Sequence, residues 1–399
     1  MAEKEIFITG FGIVSAAGLN TGEVYHSLSN RKSGIGPANL LQTIHKSDIP
    51  VGEIPLSNNE LKKRLGLSSD RAITRTTLLG LHAAKEAIDH AGISDMTTCK
   101  TGLVSASTVG GMSSSELYWD EYHKTDVYDD YILRHDLGVS TEQIAQYFGI
   151  KDYISTVSTA CSSSANALML GVRLIKNGIV DRVIAGGTDA LSKFTLNGFN
   201  SLMILDREIS KPYDRDRKGL NLGEGAAYIV LESEEVVKKT GKPTHGKILG
   251  FANTNDSFHQ TASSEDGYGC FLSMEAALQM AGLAPSDIDY INVHGTGTPN
   301  NDETEGKAIL NLFGEELPPF SSTKPFTGHT LGAAGAVEAV IALLTTKYQV
   351  IFPNLNFSNP IESIGLVPVT DLTHSKIETV LSNSLGFGGN DSSLIIGRT

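Results

Sequence analysis

Short β-branched runs alternate with longer amphipathic ones along the whole chain, and after Gly241-Lys242-Pro243 the alternation starts afresh. Residues 5–9, 102–105, 154–158, 182–187 and 226–232 read as strands in the first stretch. Residues 76–91 read as a helix, because Leu78, Leu81, Ala84 and Ile88 recur on one face and Gly92 stands in stop position. Residues 162–177 repeat the pattern with Ala165, Leu168, Val172 and Ile175, closed by Gly178. In the second stretch, strands are expected over 245–250, 288–293, 378–382 and 393–396, and helices over 271–281, 304–313 and 335–347. Such alternation specifies an α/β protein with mostly buried strands. The restart divides the chain into two similar halves, 1–242 and 243–399. No low-complexity linker separates them, so they are expected to pack as one body.

Glycine is the unusual residue: 41 positions, gathered in clusters. The first, Thr9-Gly10-Phe11-Gly12 through Gly18, begins like a dinucleotide fingerprint, but its third glycine comes three residues late. It reads as a structural turn. The second signal is Ser158-Thr159-Ala160-Cys161-Ser162-Ser163-Ser164, which puts a cysteine between a strand and a helix. Unpaired N–H groups at a helix start favour negative charge, lower a thiol pKa and can hold an oxyanion beside the sulfur. Cys99 and Cys270 lack that context and read as structural.

Three further segments carry chemistry-bearing residues. His294-Gly295-Thr296-Gly297-Thr298 follows a strand, so His294 stands at a strand end, and the glycines allow a ligand close to the backbone. Ser321-Ser322-Thr323-Lys324-Pro325-Phe326-Thr327-Gly328-His329 leads into a small-residue helix carrying Glu338, and a buried lysine and glutamate there would need each other. Asn383-Ser384-Leu385-Gly386-Phe387-Gly388-Gly389-Asn390-Asp391 takes a strand into a glycine turn with free N–H groups.

Composition narrows the class. A net charge of −13 argues against nonspecific binding to nucleic acid or an anionic membrane. Three widely spaced cysteines form neither a metal cluster nor a disulfide framework, so a reducing, cytoplasmic setting is expected. The charged start is not a signal peptide, and the uncharged run 154–172 is too rich in Ser and Thr to span a bilayer.

In this order the four motifs resemble the β-ketoacyl-acyl carrier protein synthases of the synthase I/II type. The likeness continues through Ala185-Gly186-Gly187-Thr188-Asp189 and Asn221-Leu222-Gly223-Glu224-Gly225-Ala226. It implies the thiolase fold, a five-layer αβαβα body of two similar halves, usually a homodimer. It implies that Cys161 is the nucleophile, that His294 and His329 complete a Cys-His-His triad, and that Lys324 and Glu338 support it. The N–H groups of Cys161 and Phe387 would form the oxyanion hole. Phe387 would also gate the acyl site beside Gly386, and Thr296 and Thr298 would meet the pantetheine arm.

The chemistry suits these residues. A thiolate accepts an acyl group and its thioester passes it on. Two neutral histidines offering Nε2–H can hold the enolate that forms as malonyl thioester loses CO2. No metal or organic cofactor is expected, and the partner is acyl carrier protein, whose phosphopantetheine carries the substrates. A noncatalytic chain-length-factor-like subunit is the alternative, though such subunits lack the nucleophile. A thiolase or CoA-primed synthase would use a different triad. Carriers are acidic, so docking needs a local basic patch; Lys62, Lys63, Arg64, Arg71 and Arg75 are proposed for it. Two departures from the family pattern bear on substrate. The usual GFGGTN reads Gly386-Phe387-Gly388-Gly389-Asn390-Asp391, and the usual FDxxRDGFVLGEGA has Leu220 for Phe and Asn221 for an apolar residue. They leave fatty acid elongation and a specialised polyene or polyketide chain both open.

Overall fold

The structure, a computed structural model, describes residues 5–122, 124–125 and 129–399. Five strands build the first half: β1 (Ile6–Ser15), β2 (Thr101–Ala106), β3 (Tyr153–Val157), β4 (Arg182–Asp189) and β5 (Gly225–Ser233). The second half has β6 (Gly246–Asn255), β7 (Tyr290–Asn292), β8 (Phe320–Ser321), β11 (Thr379–Gly386) and β12 (Asn390–Gly397); β9 (Val350–Ile351) and β10 (Thr373–His374) form a separate ribbon. The main sheet runs β3-β2-β4-β5-β1-β6-β12-β11-β7-β8. Read from its own first strand outward, each half has the same order. An antiparallel pair comes first, then a second antiparallel step, then two parallel ones. The halves meet edge to edge over only Phe7↔Lys247 and Ile8↔Gly246. Beside that seam, Glu232 is buried between Arg182 at 2.6 Å and Lys242 at 2.9 Å, so the Gly241-Lys242-Pro243 segment is tied into the first half by charge.

Helices complete the layers. The helix Arg75–His90 covers one face of β1, β4 and β5, with Leu78, Leu81, Ala84 and Ile88 in a core shared with Val14, Ile184 and Tyr228. The helix Tyr268–Ala281 covers the outer face of the second half, against Leu381 and Ile395. Between the two halves of the main sheet lie Ser163–Lys176 and Ala334–Tyr348, whose apolar residues form one core with strands of both halves. The stretch Leu331–Tyr348 is long and apolar enough to cross a membrane, yet 89% of it is buried inside the protein as this central layer. Its Gly335 is required by contact: a Cβ there would lie 2.8 Å from the Cβ of Ala165 on the neighbouring helix.

The first glycine cluster is a turn only at its end: β1 continues through Ser15, and residues 16–18 make the turn, closed by reciprocal N–H to carbonyl bonds between Ser15 and Gly18 at 2.8 and 3.1 Å. Gly10 and Gly12 face the helix Arg75–His90 at a strand's period of two, and a Cβ on either would sit 2.3 Å from a carbonyl of that helix. The helix expected over 304–313 begins earlier, at Pro299, because proline is well placed in a first turn where its missing N–H costs nothing.

Candidate active site

Strand β3 ends just before Thr159-Ala160-Cys161. Ala160 adopts φ +52°, a left-handed conformation unusual without glycine, which folds the chain back so that Cys161 opens into the helix Ser163–Lys176. Hydrogen bonds hold this elbow: the Thr159 N–H donates to Ser163 Oγ at 2.8 Å, and Ser163 Oγ donates to the Ala160 carbonyl at 2.5 Å. Asn390 braces it from the closing turn, its Oδ1 accepting from the amides of Asn166 at 2.9 Å and Asn253 at 2.7 Å.

The second half supplies two imidazoles. His294 follows β7 and is held by Glu305, a buried carboxylate that accepts the N–H groups of His294 at 2.8 Å and Gly295 at 2.9 Å. Lys324 Nζ lies 3.1 Å from His294 Nδ1, donates to the His294 carbonyl at 2.5 Å, and pairs with Glu338. His329 Nδ1 accepts the Leu331 N–H at 3.2 Å. The two rings stand 5.3 Å apart and nearly perpendicular. Burial, with Lys324 beside them, holds both imidazoles well below their usual pKa, so both are neutral. An ammonium and a backbone N–H can only donate, so each Nδ1 must accept and each ring proton sits on Nε2. Burial raises the Glu338 carboxyl, against the opposing pull of Lys324.

The turn between β11 and β12 brings in Phe387, whose N–H bonds the Cys161 sulfur and whose ring stacks on Phe199 at 5.7 Å. Cys161, His294, His329 and Phe387 share one cavity of about 290 Å³ with Thr296 and Thr298, whose hydroxyls bond each other at 2.9 Å on its wall, and with Gly386. A larger hollow, about 500 Å³ beside Arg75 and Glu224, contains none of these residues.

The thiol departs from the expectation drawn from the helix start. Burial pushes Cys161 up to about 11, although the Phe387 N–H and Lys324 both favour the thiolate. At neutral pH the resting sulfur therefore carries its proton.

The docking patch needs correction at two positions. Lys62 is only 3% exposed and donates to the Ser69 carbonyl at 2.8 Å. Arg75 grips Glu224 with two hydrogen bonds, at 2.8 and 2.5 Å, and binds the Ile54 and Leu56 carbonyls. Both are withdrawn into the protein; Lys63, Arg64 and Arg71 stay exposed. The two sequence departures also separate. Leu220 lines the cavity, whereas Asn221 turns away, accepting the Ser210 N–H at 2.8 Å.

Residue-by-residue reading passed over Glu305, Phe199 and Asp189. Glu305 is, with Asp302, one of two acids on the buried face of its helix, a pattern that signals fixed internal partners. Fully buried Asp189 accepts from Ser107, Thr108 and Val109 at the end of β2 and from Gly332 at 2.7 Å, tying the turn after His329 to β4.

The chain resembles known proteins along its length. The beta-ketoacyl synthase N-terminal domain matches residues 3–236 and the C-terminal domain residues 245–358. The chain is similar to 3-oxoacyl-[acyl-carrier-protein] synthase 2 of Coxiella burnetii, 31% identical over 100% of this chain and 99% of the relative, and to that of Vibrio cholerae, 30% identical with both chains fully covered. Among solved structures it is similar to the ishigamide ketosynthase/chain length factor, with a TM-score of 0.92, 27% identity and complete coverage of both chains. It is also similar to the ketosynthase ApeO in complex with its chain length factor ApeC from Xenorhabdus doucetiae, with a TM-score of 0.88 and 30% identity over 99% of this chain and 98% of that one. With the two-half thiolase fold, the buried cysteine at its elbow and the paired neutral imidazoles, these likenesses show that the chain belongs to the beta-ketoacyl synthase family.

Proposed function

We infer that the chain is a β-ketoacyl-acyl carrier protein synthase that lengthens an acyl chain by two carbons through decarboxylative Claisen condensation. The observation that carries this is the meeting, in one cavity, of a buried cysteine with two neutral imidazoles whose protons sit on Nε2. In the first half-reaction the Cys161 sulfur attacks an acyl thioester, the N–H groups of Cys161 and Phe387 hold the oxyanion, and the carrier thiol leaves with the thiol proton. In the second, malonyl thioester places its carbonyl against His294 and His329. CO2 departs, the enolate carbon attacks acyl-Cys161, and collapse of the tetrahedral oxyanion releases a 3-oxoacyl thioester and the Cys161 thiolate, which takes a proton from water to return to the resting thiol. Lys324 and Glu338 hold His294 in its working tautomer. Phe387, stacked on Phe199, closes the acyl site, and Thr296 and Thr298 line the path of the pantetheine arm. Decarboxylation itself generates the carbon nucleophile, so the proposed reaction calls on no metal or organic cofactor.

The partner in this reading is a phosphopantetheinylated acyl carrier protein, and the setting is the cytoplasm. A comparable ketosynthase has been solved with its carrier: the AntDE:AntF complex, TM-score 0.88 and 25% identical. Lys63, Arg64 and Arg71 remain as the docking surface for an acidic carrier. The double reversal Lys63→Glu/Arg64→Glu is expected to weaken carrier binding roughly tenfold at low salt and to flatten its salt dependence. Unchanged affinity in a titration at two ionic strengths would refute that surface.

Two of the structural relatives are ketosynthases paired with chain length factors, which favours a specialised polyene or polyketide chain as a second reading of the substrate. It also revives the noncatalytic subunit, against which the presence of Cys161 weighs. We propose the catalytic role and a homodimer. Mass spectrometry after incubation with a panel of acyl carriers should find acyl groups on Cys161 alone, and native mass measurement of the same sample should find twice the chain mass. No acyl-Cys161 with any carrier would overturn the catalytic reading; a monomer mass would overturn the dimer.

A further inference from the structure

The turn that carries Phe387 is clasped from one side by the end of β6 and the residues after it. The Asp256 N–H donates to the Gly389 carbonyl at 2.7 Å, the Gly388 N–H donates to the Gln260 carbonyl at 2.8 Å, and the Asn255 amide donates to the Gly388 carbonyl at 3.1 Å. Gly389 has φ +76°, and a Cβ on it would lie 1.9 Å from the Asp256 carbonyl oxygen. Nothing but glycine fits under this clasp.

Beneath it two carboxyl groups are crowded together. Asp391, the first residue past Asn390, is 1% exposed, and its Oδ1 has no hydrogen-bond partner among the described residues. Asp256 is 9% exposed and accepts the Ser264 N–H at 2.7 Å. Both press on the same glycine: a Cβ on Gly269 would be 2.3 Å from Asp391 Oδ2 and 2.6 Å from Asp256 Cβ. Among the described residues, the ionisable groups facing Asp391 are Asp256 just past β6, Cys270 from the helix Tyr268–Ala281 and Glu305 from the helix Pro299–Phe313. None of them is a cation. The family's closing motif has Asn where this chain has Asp391, so a carboxyl here is this chain's own feature.

We propose that Asp391 is a positioning residue: a proton kept on it by the neighbouring Asp256 latches the 386–390 turn, and losing that proton releases Phe387 from its place beside Cys161. Two like charges in a buried site cannot both persist without the site opening. Burial and the two other acids raise the Asp391 carboxyl to about 8, whereas a released, solvated aspartate titrates near its ordinary 3.8. The closed turn therefore binds a proton that the open turn gives up. The latch is tightest below about pH 4 and weakens as pH rises, until Asp391 is ionised in both states above about 8. In turnover, which rests on the condensing role proposed above, the latch makes entry of the acyl chain past Phe387 to Cys161 pH-dependent and leaves malonyl decarboxylation at His294 and His329 untouched.

Hydrogen–deuterium exchange of the full chain, corrected for the pH dependence of intrinsic exchange, reads the latch without any substrate. In the wild type, the opening equilibrium of residues 386–390 and 256–260 should rise by up to tenfold per pH unit between pH 6 and 8 and level off above. Asp391→Asn keeps the shape and removes the titration, so its exchange should be flat over the same range; Asp256→Asn should lower the midpoint. A flat wild-type profile, or an Asp391→Asn profile as steep as the wild type, would overturn the proposal. Failure of acylation at Cys161 would instead count against the condensing role and leave the exchange result standing.

Discussion

Cys161→Ala is expected to lower condensation by about 10^4-fold or more, the usual scale for removing a covalent nucleophile, while decarboxylation of malonyl carrier continues. The split follows from the geometry. The sulfur lies in the first half, at the elbow between β3 and its helix, and only the acyl group depends on it. The Nε2–H donors come from the second half, positioned by Glu305, Lys324 and the Leu331 N–H, none of which touches the cysteine side chain through a hydrogen bond. Alanine removes the acceptor of the acyl chain and leaves the enolate site whole. Paired assays on one preparation check this, one following 3-oxoacyl product and the other CO2 release. Full condensation by the variant would end the covalent mechanism. Loss of both activities would mean that sulfur and imidazoles act as one unit. A noncatalytic partner subunit predicts a third pattern, with no activity of either kind in the wild type.

Much of this was legible because the informative residues sit where local chemistry changes abruptly. Cys161 stands between a strand and a Ser-rich helix start, His294 at a strand end before two glycines, and His329 before a run of small residues; each break shows in the sequence without knowledge of contacts. The build from two similar halves is readable for the same reason, and their matching strand order is its three-dimensional form. What stayed hidden depends on partners far away in the chain. Lys62 and Arg75 look like members of a basic stripe until Ser69 and Glu224 are seen to hold them. The Gly10 and Gly12 pair looks like a turn until the helix Arg75–His90 is laid across it. Thiol acidity was misjudged because a helix start is a local signal, whereas burial is set by the whole surrounding fold.

His329→Ala should reduce malonyl decarboxylation by about 10^2–10^3-fold, the cost of one preorganised donor at a developing oxyanion, roughly 2.7–4 kcal/mol. Its effect on the first half-reaction should be smaller, because the acyl oxyanion has the N–H groups of Cys161 and Phe387. The wild-type pH profile tests the protonation state on which this depends. An imidazole of ordinary pKa near 6.5 would be half protonated there and would put a limb in the rate. Here burial and Lys324 lower both rings well below that value, so the charged form is populated only at more acid pH. Decarboxylation should therefore stay level as pH falls from 8 to about 6. Lys324→Met removes the donor that fixes His294 Nδ1 and the charge that helps keep the ring neutral. It should lower the rate and bring an acid limb up toward neutrality. A wild-type limb centred near 6.5 would mean that a histidine acts as a charged acid, and the assignment of two neutral Nε2–H donors would fall with it.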